Sequence, residues 1–131
     1  MTEDELNLLS EKVIGCSYLV SNALGSGFLE KVYENALAHE LRKLGFKVEV
    51  QKPLYVIYDD VVVGEYFADL LVQDALIVEI KTSNGFSDNR KAQCINYLNA
   101  TKLPLCLLIN FGRPRIEIKR IFQSQFLENL S

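Results

Sequence analysis

The stretch Phe67-Ala-Asp69-Leu-Leu-Val72, with Leu76-Ile-Val-Glu79-Ile-Lys81 close behind it, decides how this chain is read. Both runs are apolar enough for strands of a covered sheet, yet they carry Asp69, Glu79 and Lys81. Buried charges are costly unless they pair or coordinate a metal, so charges in such runs need a chemical reason. Residues two apart on a strand share a face, which puts Glu79 and Lys81 on one side and Ile80 in the opposite layer. The turn decides where Asp69 falls. A two-residue loop, Asp74-Ala75, would set Asp69 opposite Ile80, whereas a three-residue loop, Gln73-Asp74-Ala75, sets it opposite Glu79. We expect the odd loop or a bulge, with all three charges on one face. Two carboxylates facing each other across a strand pair repel unless a cation lies between them, an arrangement that holds Mg²⁺ or Mn²⁺ through oxygen ligands. Such an ion polarises a phosphate and lowers the pKa of a bound water, while Lys81 would orient that water or neutralise developing charge. An ordinary Asp69–Lys81 cross-strand ion pair is the alternative at this point.

Outward from these runs, apolar residues Leu6, Leu9, Val13, Cys16, Val20 and Leu24 recur at helical spacing and predict a helix over about 4–24, broken by Gly25-Ser-Gly27. A second helix is expected over Phe28–Leu44, on a stripe of Leu29, Val32, Tyr33, Ala36, Leu37, Leu41 and Leu44, with Gly45 as cap. Strands are expected at 46–52, 54–58, 61–72 and 76–82, with Pro53 separating the first two and Asp59-Asp60 forming a tight hairpin. A third helix, from an N-cap at Ser87 to Ala100, places Ala92, Ile95 and Leu98 or Asn99 on one side. The near-continuous apolar run at 104–111 reads as a central strand covered on both faces, and Arg115 to Phe122 as the last strand. The order α, α, β-meander, α, β, β gives an α/β sandwich.

On the second helix Glu30 falls inside the apolar arc and Glu34 at its edge, so one or both acids are candidates to reach the metal; Glu30 near the helix start also simply favours the dipole. Composition bounds the rest. The 131 residues suffice for a single domain over 1–131, with short flexible ends at about 1–4 and 124–131. With 49% hydrophobic and 24% charged residues the chain is ordinary soluble material, and no signal peptide or run long enough to span a membrane is present, which predicts a cytoplasmic protein. Three scattered cysteines, Cys16, Cys94 and Cys106, fit reduced buried thiols rather than a disulfide framework or zinc site. The net charge of −3 hides an asymmetry: residues 1–80 balance at −8 and residues 81–120 at +6. An acidic site beside a basic surface is what a metal-dependent phosphodiesterase needs, with Arg90 and Lys91 as candidate substrate contacts.

Asp69, Glu79-Ile-Lys81, the preceding Gly27-Phe-Leu-Glu30-Lys-Val-Tyr33 and the following Gln93-Cys-Ile-Asn-Tyr97 together resemble the GxxExxY family of the PD-(D/E)XK nuclease superfamily. The likeness covers roughly residues 10–122. It departs at Ser21 and Ser26, where many relatives carry histidine and proline. The resemblance implies a restriction-endonuclease-like core, a mixed β-sheet flanked by α-helices. It implies Asp69, Glu79, the Ile80 carbonyl and Glu30 around the metal, Lys81 as catalytic lysine, and Gln93 and Tyr97 beside the site. The function expected is a Mg²⁺- or Mn²⁺-dependent nuclease that hydrolyses phosphodiester bonds, of DNA rather than RNA. Two alternatives stand beside it: a catalytically silent nuclease-fold module binding nucleic acid or a protein partner, and a phosphate-ligand enzyme acting on nucleotides. A homodimer is a further expectation, because so small a domain offers limited surface for gripping a duplex.

Overall fold

The computed structural model describes residues 1–83 and 88–124. Helices α1 (Glu3–Leu24) and α2 (Glu30–Lys43) precede strands β1 (Val48–Tyr58), β2 (Val61–Val72) and β3 (Leu76–Lys81); α3 (Asp88–Thr101), β4 (Leu105–Asn110) and β5 (Glu117–Phe122) follow. One five-stranded sheet runs β1-β2-β3-β4-β5, antiparallel except for the parallel β3/β4 pair, whose crossover carries α3. The expected Ser87 cap, and the expected loose end beyond Ser124, lie outside the described residues.

Each layer follows from side-chain alternation. On β4, Leu105, Leu107 and Ile109 join the cluster under α1 and α2, whereas Cys106 and Leu108 join the cluster under α3. All six β4 residues are buried, as expected of a central strand. From α1, Leu6, Leu9, Val13, Cys16 and Val20 enter the first cluster; from α2, Tyr33, Leu37, Ala38 and Leu41 do. Each fully buried aliphatic side chain of this kind contributes on the order of 2 kcal/mol, so the site rests on a rigid floor. Thr2 and Glu5 form a reciprocal capping box that starts α1.

Three expectations need correction. Pro53 does not divide a strand: β1 is continuous, and Pro53 pairs opposite Phe67. β1 is an edge strand, where every other N–H points away from the sheet and a proline is tolerated. On α3 the buried residues are Cys94, Tyr97 and Leu98, while Ala92, Ile95 and Asn99 are exposed. On α2 the buried arc is Tyr33, Glu34, Leu37, Ala38 and Leu41, with Leu29 79% and Leu44 53% exposed. The arc is therefore rotated toward Glu34.

Candidate active site

The site forms where two strands change face together. Val48 and Val50 pack toward α1 and α2, but Leu54 packs toward α3; likewise Leu70 faces one layer and Ala68 the other. Regular alternation would keep each of these sets on one face. The register pairs Val50 with Leu70 and Lys52 with Ala68, so the reversal falls at Gln51 on β1 and Asp69 on β2. Gln51 adopts the left-handed conformation, φ 52°. Its amide nitrogen donates to Asp69 Oδ1 at 3.1 Å and to Glu34 Oε1 at 2.5 Å.

The β2/β3 turn is the odd one: Val72 pairs with Leu76 across Gln73-Asp74-Ala75, and the same register continued past Leu70/Val78 brings Asp69 opposite Glu79. There the ladder gives way to side chains. The Ile80 N–H donates to Asp69 Oδ2 at 2.7 Å, and the Asp69 N–H approaches Glu79 Oε1 at 3.4 Å. The expectation of one shared face is thus modified. Asp69 opens into a pocket of about 230 Å³ on the α2 side, lined also by Glu30, Lys31, Glu34, Gln51 and Ile80. Glu79 lies buried next to Cys94 and Tyr97 on the α3 side, with Lys81 half-buried beyond it.

Burial is the main cause that pushes the Glu79 carboxyl up to about 9, and the neighbouring Asp69 charge adds to it; Lys81 and the Asp69 N–H oppose the shift. Tyr97, 6% exposed, has its phenol raised by burial and then by Glu79, so it remains a hydroxyl donor. Cys106 donates to Cys94, holding the Cys94 thiol below its ordinary value and its own well above.

From α2, the helix acid that is buried is Glu34, 3% exposed, whereas Glu30 lies exposed at the pocket rim. The Lys31 ammonium stands 2.5 Å from Glu34 Oε2, an ion pair outside hydrogen-bonding geometry, so that oxygen is buried without a hydrogen bond. The preceding loop is pinned by Tyr33, whose hydroxyl donates to the Gly25 carbonyl at 2.6 Å and accepts from the Phe28 N–H at 3.2 Å. Its ring stacks on Phe111 at 4.6 Å. Tyr33→Phe should keep the stack but leave both loop groups unpaired, lowering stability by about 1–2 kcal/mol in a denaturant melt.

The end of β4 supplies residues that sequence reasoning missed. Asn110, fully buried, accepts from the Ser83 and Gly112 N–H groups and donates to the Ser83 carbonyl, tying down the chain just after Lys81. A polar residue closing an apolar run was its only signal. Gln51 had none, because a left-handed glutamine inside a strand has no sequence mark. From α3, Gln93 is exposed and Arg90 and Lys91 are half-buried along the same helix.

Among the described residues no three His, Cys, Asp or Glu side chains already gather as a metal-binding group. The donor chemistry nevertheless fits a hard divalent cation. Glu34 Oε2 is buried without a hydrogen bond, and Glu79 is a buried carboxyl next to a second carboxylate. Asp69 and Glu79, with the Ile80 carbonyl and Glu34, are the groups that could hold it.

Comparison with curated proteins gives no significant match. Among solved structures, the chain resembles SSO0001 with a TM-score of 0.52 at 18% identity, over 76% of this chain and 56% of that one. It also resembles an alkaline exonuclease (LHK-Exo) from Laribacter hongkongensis with a TM-score of 0.54 at 15% identity, over 99% of this chain and 76% of that one. These likenesses support the restriction-endonuclease-like α/β core, and the chain spans little more than half of the first of these structures. A family model described as the PD-(D/E)XK nuclease superfamily matches residues 7–121, and the chain therefore belongs to the PD-(D/E)XK nuclease superfamily.

Proposed function

We propose that the chain is a divalent-metal-dependent nuclease, Mg²⁺ or Mn²⁺ being the ion and DNA rather than RNA the substrate, acting at the gap between Asp69 and Glu79. The observation that carries this reading is the replacement of a β-ladder pair by two carboxylates, one of them 5% exposed. Such a departure is costly to a fold unless it serves chemistry. Asp69 and Glu79, the Ile80 carbonyl and Glu34, with Glu30 at the rim, hold the cation, which when bound supplies Lewis-acid polarisation and an acidified water. Lys81 places a positive charge where the scissile phosphate gains negative charge. Gln93 and Tyr97 present a carboxamide and a protonated phenol beside the reacting group. Arg90 and Lys91 contact the flanking phosphates.

We assign the chain to the GxxExxY branch, a reading supported by Gly27, Glu30 and Tyr33: Tyr33 holds the loop that carries Gly27 and starts the helix at Glu30. The chain acts as a single domain in the cytoplasm, consistent with three free, buried cysteines. A homodimer along the β1/β2 ribbon is part of the proposal, because Ile57, Tyr58, Val61, Val62 and Val63 each expose more than half their surface there. Light scattering should give twice the chain mass, and Val62→Glu should return it to one.

Cleavage of labelled single-stranded, duplex and branched DNA and of RNA tests the activity. The chain should cut with Mg²⁺ or Mn²⁺ and not with EDTA, and Asp69→Asn should lower the rate at least about a thousandfold while melting as a folded protein. A second reading, a catalytically silent nuclease-fold module, is favoured by one feature: Lys31 and Gln51 already neutralise and bridge Glu34 and Asp69. It predicts no cleavage of any substrate, and partner binding that Asp69→Asn leaves unchanged.

A further inference from the structure

The outer face of α3 is chemically unlike the rest of the surface. From Ala92 to Thr101 the helix carries no charged residue, although the exposed side of a surface helix usually carries Lys and Glu. That face borders an open groove of about 570 Å³ lined by Val56 and Tyr66 of the β1/β2 ribbon and, from α3, by Asn89, Gln93, Asn96, Tyr97 and Asn99 among others. The size is that of an ordinary small-ligand site. Four of those α3 residues are carboxamides, and among the described residues no lysine, arginine, aspartate or glutamate lines the groove. Tyr66 and Tyr97 stand with ring centroids 5.4 Å apart at 49°, and Tyr66 keeps nearly half its surface open.

We propose that this groove is a base-reading site that takes unpaired nucleobases of the strand presented to the catalytic gap. A phosphate-tracking groove needs cations, and the described lining of this one has none. Carboxamides match the donor–acceptor edges of bases, and tyrosine faces stack on bases of any sequence. The groove is continuous with the proposed catalytic gap through Tyr97, which lines the groove and lies close enough to Glu79 to feel its charge. Arg90 and Lys91, about two turns earlier on α3 than Tyr97, stand where the sugar-phosphate backbone of the same strand would pass. Paired bases cannot be read in this way, so the substrate class is single-stranded or locally unpaired nucleic acid. The proposal rests on the nuclease reading for its ligand, and it adds Tyr66, Asn96 and Asn99 as specificity-determining residues.

The test is fluorescence anisotropy in EDTA with labelled single-stranded DNA, the RNA of the same sequence, and a DNA strand of equal length carrying abasic sites. The wild-type chain should bind a base-bearing strand at least about tenfold more tightly than the abasic one, the difference expected for losing one stacked base. Asn96→Ala/Asn99→Ala and Tyr66→Leu should each remove most of that difference and leave abasic binding unchanged. DNA and RNA arms tell which sugar is preferred, and base-dependence in either supports the site. Equal binding of abasic and base-bearing strands by the wild-type chain overturns the proposal, and that arm needs no variant to fold. Variants that fold and still bind base-bearing strands like wild type overturn it too. Base-dependent binding with no cleavage under Mg²⁺ would sink the nuclease reading and leave the groove standing; cleavage with base-independent binding would do the reverse.

Discussion

Glu79→Gln should abolish cleavage and yet make the metal-free protein more stable at neutral pH. Glu79 is pushed up to about 9 in the folded chain against an ordinary value of 4.5, with burial the largest cause and Asp69 the next. A carboxyl raised in the folded state contributes most to stability below its ordinary value, and that contribution is lost as pH rises toward the folded value. The window is therefore pH 4.5 to about 9. At pH 7 folding takes up a proton here, at a cost growing by about 1.4 kcal/mol per pH unit, so a neutral glutamine of the same shape should stabilise by on the order of 3 kcal/mol. Melts in EDTA across pH 5 to roughly 9 should show the wild type losing stability as pH rises, and the variant losing less. Wild type and variant with parallel profiles would mean that Glu79 ionises freely inside the fold.

Gly112→Ala should be the most damaging single-methyl change near the site. A Cβ at that position would lie 2.5 Å from the Thr82 carbonyl carbon, 2.7 Å from the Ser83 oxygen and 2.8 Å from the Ser83 nitrogen. All three are backbone atoms of the segment that follows Lys81; Asn110 holds that segment by two hydrogen bonds to Ser83 and accepts a third from the Gly112 N–H. Neither side has a flexible end to yield, so the chain after Lys81 must shift. Overpacking of this kind costs about 3 kcal/mol or more, and cleavage should fall with it because Lys81 moves. The check pairs a denaturant melt with single-turnover cleavage. A variant as stable and active as wild type would show that Thr82 and Ser83 do not set the lysine.

Much of this arrangement was legible because it depends on period and length. The three-residue loop Gln73-Asp74-Ala75 carries the Asp69/Glu79 register, and a strand pair with one buried layer tolerates no slip. What the residues did not disclose was the exchange of faces at Gln51 and Asp69, since strand alternation was assumed to hold throughout β2. That Glu34 is the buried acid of α2 and Glu30 an exposed one was hidden for another reason. Counting Leu29 and Leu44 as buried turned the α2 arc the wrong way, yet exposed leucines are common and mark nothing. Pro53 misled because a proline reads as a break unless its strand is known to be an edge. On α3, helical spacing put Ala92 and Ile95 on the same side as Leu98 or Asn99, whereas the sheet covers Cys94, Tyr97 and Leu98.

Calorimetric titration of the chain with Mn²⁺, run in two buffers of different protonation enthalpy, tests the acid gap most directly. The account predicts binding with release of a proton at pH 7, because a carboxyl held near 9 must ionise to become a ligand, and loss of that binding in a folded Asp69→Asn variant. No Mn²⁺ binding by the wild-type chain, or equal binding by Asp69→Asn, would contradict it.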